Sequence, residues 1–158
     1  MVEPSPEAAD YREVLAEILN KVRVQSRLSP RAVADAMGMQ RRSYYNFEAG
    51  LRTLDLVELW RFAEATNSDP VAILMALARK DPDIALRCME NKAASILIAS
   101  FFRFSDTVGD RLTTLPPAIL IEAFKRPFDS LEEHLAKRDQ SAERWLAENL
   151  PRIFRLDD

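Results

Sequence analysis

Apolar residues recur at three- and four-residue spacing along most of the chain, the period of helices with one buried face, and the pattern predicts an all-α protein. Tyr11, Val14, Leu15, Ile18 and Val22 form one such stripe. With Ser5 as cap and Pro6 in the first turn, they predict a helix running to about Gln25 after a Met1–Pro4 tail. Ser29 and Pro30 repeat the cap-plus-proline start. Val33, Ala34 and Met37 then share a face, and Gly38 supplies the left-handed residue that ends the helix at Met37. A helix over Gln40–Glu48 points Tyr44 and Phe47 inward and leaves Arg41, Arg42, Tyr45 and Asn46 outside. Thr53 or Asp55 caps a fourth helix through Thr66, in which Leu56, Leu59, Trp60 and Ala63 are expected to close the core. Asn67 stops it, and Asp69-Pro70 starts a fifth that ends near Arg79.

Beyond this point the pattern predicts a second helical module. The polar Lys80-Asp81-Pro82-Asp83 junction sets the expected boundary, with one domain over 1–80 and another over 81–158. A long helix is expected from about Pro82 to Phe104, carrying Ile84, Cys88, Met89, Ile96, Leu97, Phe101 and Phe102. Ser105–Thr114 reads as a turn or short helix. Pro116-Pro117 opens a helix to about Lys125, which Pro127 interrupts. Asp129 or Ser130 caps a further helix through Arg138, and Ser141–Leu150 forms a last one around Trp145 and Leu146, with Pro151 weakening its continuation into Ile153 and Phe154.

Composition narrows the picture. At 158 residues the chain exceeds what five short helices need. Its 47% hydrophobic and 30% charged content is that of a soluble globular protein, and three isolated glycines leave no glycine-rich phosphate loop. The net charge of −3 conceals a local asymmetry. Between Lys21 and Arg52 stand seven basic and two acidic residues, a balance of +5, whereas Asp81 onward carries eleven basic and fourteen acidic. The basic stretch coincides with the Ser29–Gly50 segment, as phosphate neutralisation requires.

Ser29–Gly50 therefore has the layout of two short helices joined by a glycine turn inside a basic window, the arrangement of a DNA-reading helix-turn-helix. The segment from about Tyr11 to Ala78 resembles the Cro/repressor-type (XRE-type) helix-turn-helix family. Ala34 stands at that family's small inter-helix position, Gly38 at its turn, Tyr44 at its buried aliphatic position, and Glu48-Ala49-Gly50 at its Glu-x-Gly. The resemblance implies a five-helix DNA-binding domain in the N-terminal half and a structural ion pair between Arg23 and Glu48. One departure is Pro30, which stands where many relatives carry a Gln that contacts a phosphate; the neighbouring Arg31 is placed to take over that contact.

The candidate base-reading residues are Arg41, Arg42, Ser43, Tyr45 and Asn46. An arginine can bond two acceptors of guanine, and an asparagine one turn on can pair with adenine. Arg31, Gln40 and Arg52, with the first-turn amides of the two motif helices, are the phosphate candidates. The expected partner is double-stranded DNA, bound by a homodimer. Residues 81–158 are expected to dimerise or to bind another protein such as a toxin or RNA polymerase, the latter making the chain an antitoxin-type or interaction module.

No enzyme, cofactor or metal is expected. His134 is the only histidine, and Cys88 the only cysteine. The adjacent Glu132 and Glu133 diverge on a helix. The lone cysteine and an acidic, proline-containing start in place of a signal peptide predict a cytoplasmic protein. The most apolar run, Ala93–Phe102, has about ten residues where a membrane span needs about 20.

Overall fold

The computed structural model describes residues 6–154, and every regular element in that range is helical. The expected Met1–Pro4 tail and Ser5 cap lie outside the described residues. The chain divides into two compact units, one through Thr107 and one from Val108.

In the first unit α1 (Pro6–Gln25), α2 (Pro30–Ala36), α3 (Arg41–Glu48), α4 (Leu56–Thr66) and α5 (Pro70–Arg79) enclose one core. The helix starts are set by short polar side chains. Ser29 accepts from the Ala32 amide, Asp55 from the Glu58 amide, and Asp69 from the amides of Val71 and Ala72. Left-handed residues make the stops: Gly38 at φ +64° after α2, Asn67 at +49° after α4 and Lys80 at +57° after α5.

Ile18, Leu19 and Val22 of α1, Val33 of α2, Tyr44 of α3, Leu59 and Phe62 of α4, and Ile73 of α5 are fully buried together. Two expectations for α4 fail. Leu56 and Trp60 are exposed, Trp60 by 46%, and the helix buries the expected Leu59 and Ala63 together with Phe62 and Thr66. Both stripes have helical spacing, and Phe62 takes the inner one by packing on Phe47, ring centroids 5.7 Å apart.

The chain after Arg79 stays with this core. α6 (Asp83–Arg87) packs on α1 and α5, and Ala85 and Met89 join the buried cluster, so the polar junction at 80–83 is a turn inside the first unit. The long helix expected from Pro82 to Phe104 is two helices. It breaks at Cys88–Lys92, where Lys92 adopts φ +55° and the Asn91 side chain accepts from the Ala93 amide. α7 (Ala93–Val108) then begins against the buried Asp69, whose carboxylate accepts from both the amide and the hydroxyl of Ser95 at 3.0 and 2.6 Å. One carboxylate thus caps α5 and anchors the start of α7.

In the second unit a 3₁₀ turn at Gly109–Thr114 precedes α8 (Pro117–Phe154), a single helix of 38 residues. Neither the interruption expected at Pro127 nor the separate helices expected after it occur. A proline removes one helical donor and frees one carbonyl, and on this helix, exposed from Ile121 to Glu148, water is available to that carbonyl. No helix among the described residues is long and apolar enough to cross a membrane.

Candidate nucleic-acid interface

α3 is held rigidly from behind. Tyr44 and Phe47 occupy its inner face, their rings tilted at 42° with centroids 6.1 Å apart. At its C-terminal end the Glu48 carboxylate accepts from Arg23 Nε at 2.5 Å, both side chains being nearly buried, and Arg23 Nη1 also donates to the Leu28 carbonyl at 3.1 Å. The structure therefore brings Arg23 and Glu48 together, tying α3 to the end of α1 and to the loop that enters α2. Such a low-dielectric pair is costly to break from one side, because the survivor keeps its charge without a partner.

The Tyr44 hydroxyl is buried beside this pair and makes no hydrogen bond among the described residues. Burial first, and then the Glu48 charge, push its pKa up, with Arg23 opposing. Tyr44 thus stays neutral and contributes its ring.

Gly50 completes the support. It sits at φ +66°, and a Cβ there would lie 2.5 Å from the Arg12 carbonyl oxygen, so the chain leaving α3 passes directly over the α1 backbone. Gly38, also left-handed, has open space around its missing Cβ.

The opposite face of α3 is open. Arg41, Arg42, Tyr45 and Asn46 are exposed and Ser43 is half-buried. Tyr45 is 55% exposed while its ring edge meets Tyr44 at 6.5 Å, which fixes its direction without covering it. Neither Arg41 nor Arg42 has an ion-pair partner among the described residues, in contrast to Lys21, Arg23, Arg31 and Arg52. Gln40 is the extended N-cap of α3 and makes no side-chain cap bond, so the amides of Arg41, Arg42 and Ser43 point out of the helix end unclaimed. Their partial positive charge adds to that of the two guanidinium groups.

The phosphate candidates are placed differently from one another. Gln40 is exposed at the tip of α3. Arg31 stands in the first turn of α2, 70% exposed and only loosely paired with Asp35 at 3.8 Å. Around it the α2 start is mostly used up: Pro30 has no N–H and the Ala32 amide is taken by Ser29, leaving the Arg31 amide alone. Arg52 has an internal partner that sequence reasoning missed, Glu58 in the first turn of α4, at 2.8 Å. Loop 49–55 creates that contact, and only the presence of Glu three residues after the Asp55 cap hinted that an acid would stand there.

The arrangement offers a row of donors on a short rigid helix, with cationic groups at its N-terminal end and an anchored C-terminal end. It fits into a groove of about 12 Å, the width of the major groove. Residues 19–73 match the helix-turn-helix family, of the XRE type, and that segment covers α2, the Gly38 turn and α3. Neither the curated proteins nor the solved structures contain a match to this chain.

Proposed function

We propose that this protein, whose residues 19–73 are a helix-turn-helix of the XRE type, is a transcription regulator that binds duplex DNA sequence-specifically, reading the major groove with α3 as a homodimer. One observation carries the reading. The solvent face of α3 presents Arg41, Arg42, Tyr45 and Asn46, with no ion-pair partner for either arginine among the described residues, while its other face is fixed by Tyr44, Phe47 and the Arg23–Glu48 pair. Charged side chains kept free on a rigid helix favour recognition of an external anionic partner over a structural use.

Arg41 and Arg42 are assigned to base edges near the N-terminal end of α3, Asn46 to a base one turn on, and Ser43 and Tyr45 to flanking base or phosphate contacts. Gln40, Arg31 and Arg52 are assigned to phosphates, which set register and orientation. Arg52 does this while remaining braced by Glu58. Two such heads bind half-sites about one DNA turn apart, and the helical segment after residue 80 supplies the self-association. The protein works in the cytoplasm, where its DNA is.

The test is selection of binding sites from fragmented genomic DNA by the full chain at about 150 mM salt, followed by affinity measurement on the enriched and scrambled sequences. A two-fold symmetric motif preferred by about 10³ or more supports the reading. Binding without sequence preference, lost steeply with salt, contradicts it.

A further inference from the structure

We propose that α8 is the self-association element and that two copies of it pair antiparallel about a two-fold axis lying between Leu131 and Leu135. This rests on the homodimeric reading above and names the surface that serves it.

The first observation is a repeat. Ile121, Phe124, Phe128, Leu131, Leu135 and Trp145 follow one another at three- and four-residue steps, with Arg138 and Ala142 filling the two steps between Leu135 and Trp145. This is the 3.5-residue period of a coiled-coil seam, narrower than the stripe of a helix lying on a globular core. Ile121, Phe128, Leu131, Leu135 and Trp145 are exposed, from 47% at Phe128 to 69% at Ile121. Along a helix of 38 residues such a stripe offers apolar area that a facing surface would remove from water, and packing of one apolar face is the usual source of helical stability in proteins.

The second observation selects the occupant. In an antiparallel pair centred between Leu131 and Leu135, each Leu131 meets the partner's Leu135. Phe128 then meets Arg138, Phe124 meets Ala142, and Ile121 meets Trp145. The two phenylalanines thus face a small residue and a long flexible one, and the single seam arginine lies against an aromatic ring, where its charge is attracted.

The same register sets Lys125 beside the partner's Asp139 on the flank of the seam, and symmetry provides that pair twice. One like-charge contact remains, Glu132 against its own copy at the axis, where both carboxylates reach water. A parallel in-register pair fails on the same residues. It would stack Arg138 on Arg138 inside the seam and bring Asp139 opposite His134 instead of Lys125. The charge pattern thus fits a second copy of this chain, running the other way.

The experiment is sedimentation equilibrium of the full chain over a range of concentrations, comparing wild type, D139K, K125E/D139K and L131E/L135E. D139K turns both attractive pairs repulsive and raises the dimer dissociation constant about tenfold, which is about 1.4 kcal/mol. K125E/D139K restores it, which also shows that D139K is folded. L131E/L135E yields monomer. As a check of direction, E132C in a Cys88→Ser background is joined to its own copy by a short bismaleimide, which a parallel pair holds too far apart. A wild-type dimer indifferent to D139K and to L131E/L135E overturns the α8 pairing and leaves the dimeric reading standing on another surface. A wild-type chain that stays monomeric, free and on its DNA site, overturns both.

Discussion

Two glycines in equivalent left-handed conformations flank α3, and the structure predicts that they respond very differently to the same change. Gly38 and Gly50 have φ of +64° and +66°, so an alanine at either pays the same backbone strain, about 1–2 kcal/mol. A stiffer unfolded chain returns about 0.4–1 kcal/mol of that in both cases. Gly38→Ala adds nothing further, because apart from its chain neighbours no described residue comes within 4 Å of the new methyl. It should cost about 1 kcal/mol, a drop of about 4–8 °C in Tm for a unit of this size. In Gly50→Ala the methyl stands 2.5 Å from the Arg12 carbonyl oxygen, a backbone atom, so α1 and the end of α3 must separate. Overpacking of that kind adds about 1–3 kcal/mol and brings the total to about 2–4. Urea unfolding followed by circular dichroism measures both variants. Equal destabilisation would refute the reasoning, since it would mean that the α3 exit does not rest on the α1 backbone.

Tyr44→Phe removes a buried hydroxyl that has no hydrogen-bond partner among the described residues, so stability at neutral pH should hold or rise by up to about 1 kcal/mol; a loss larger than that would show the hydroxyl bonded to the Arg23–Glu48 pair. Because the folded-state pKa of Tyr44 is raised above the ordinary tyrosine value of about 10, its contribution is fully present below that pH and is lost as pH rises beyond it. Tyr44→Phe should therefore show a shallower alkaline fall in stability than wild type, and identical profiles would count against a buried neutral phenol. Arg52→Ala should weaken binding to selected and scrambled DNA alike and reduce the slope of log affinity against log salt by about 0.9, at a stability cost under about 1 kcal/mol from the lost Glu58 contact. An unchanged slope would leave Arg52 as a brace for Glu58 alone.

The parts of the fold legible in the sequence are those decided by local chemistry. Ser29, Asp55 and Asp69 cap helices, and Gly38 and Asn67 end them, because each acts on backbone groups within three residues of itself. The inward Tyr44 and Phe47 were legible too, since α3 has one apolar face. α4 is apolar on more than one side, and periodicity alone could not choose Phe62 over Trp60; contact with Phe47 made that choice.

The stretch from 80 to 108 misled for a similar reason. Its apolar run fits one helix, but Asn91 offers a competing cap and Asp69, far away in sequence, offers Ser95 a buried acceptor. Pro127 misled in the other direction, because proline's effect on a helix depends on whether water can reach the freed carbonyl. At the candidate interface the outward row of α3 followed from its period, whereas the Arg52–Glu58 contact depends on the path of a loop that no spacing encodes.

The central claim is that the outer face of α3 reads bases, and the most direct measurement compares Arg42→Ala with wild type on the selected site, on single-base variants of it and on scrambled DNA. The account predicts a loss of about 1–3 kcal/mol on the selected site, a much smaller loss on scrambled DNA, and relaxed preference at one base position in each half-site. An equal loss on every sequence, with base preferences intact, would contradict it and make Arg42 a phosphate contact.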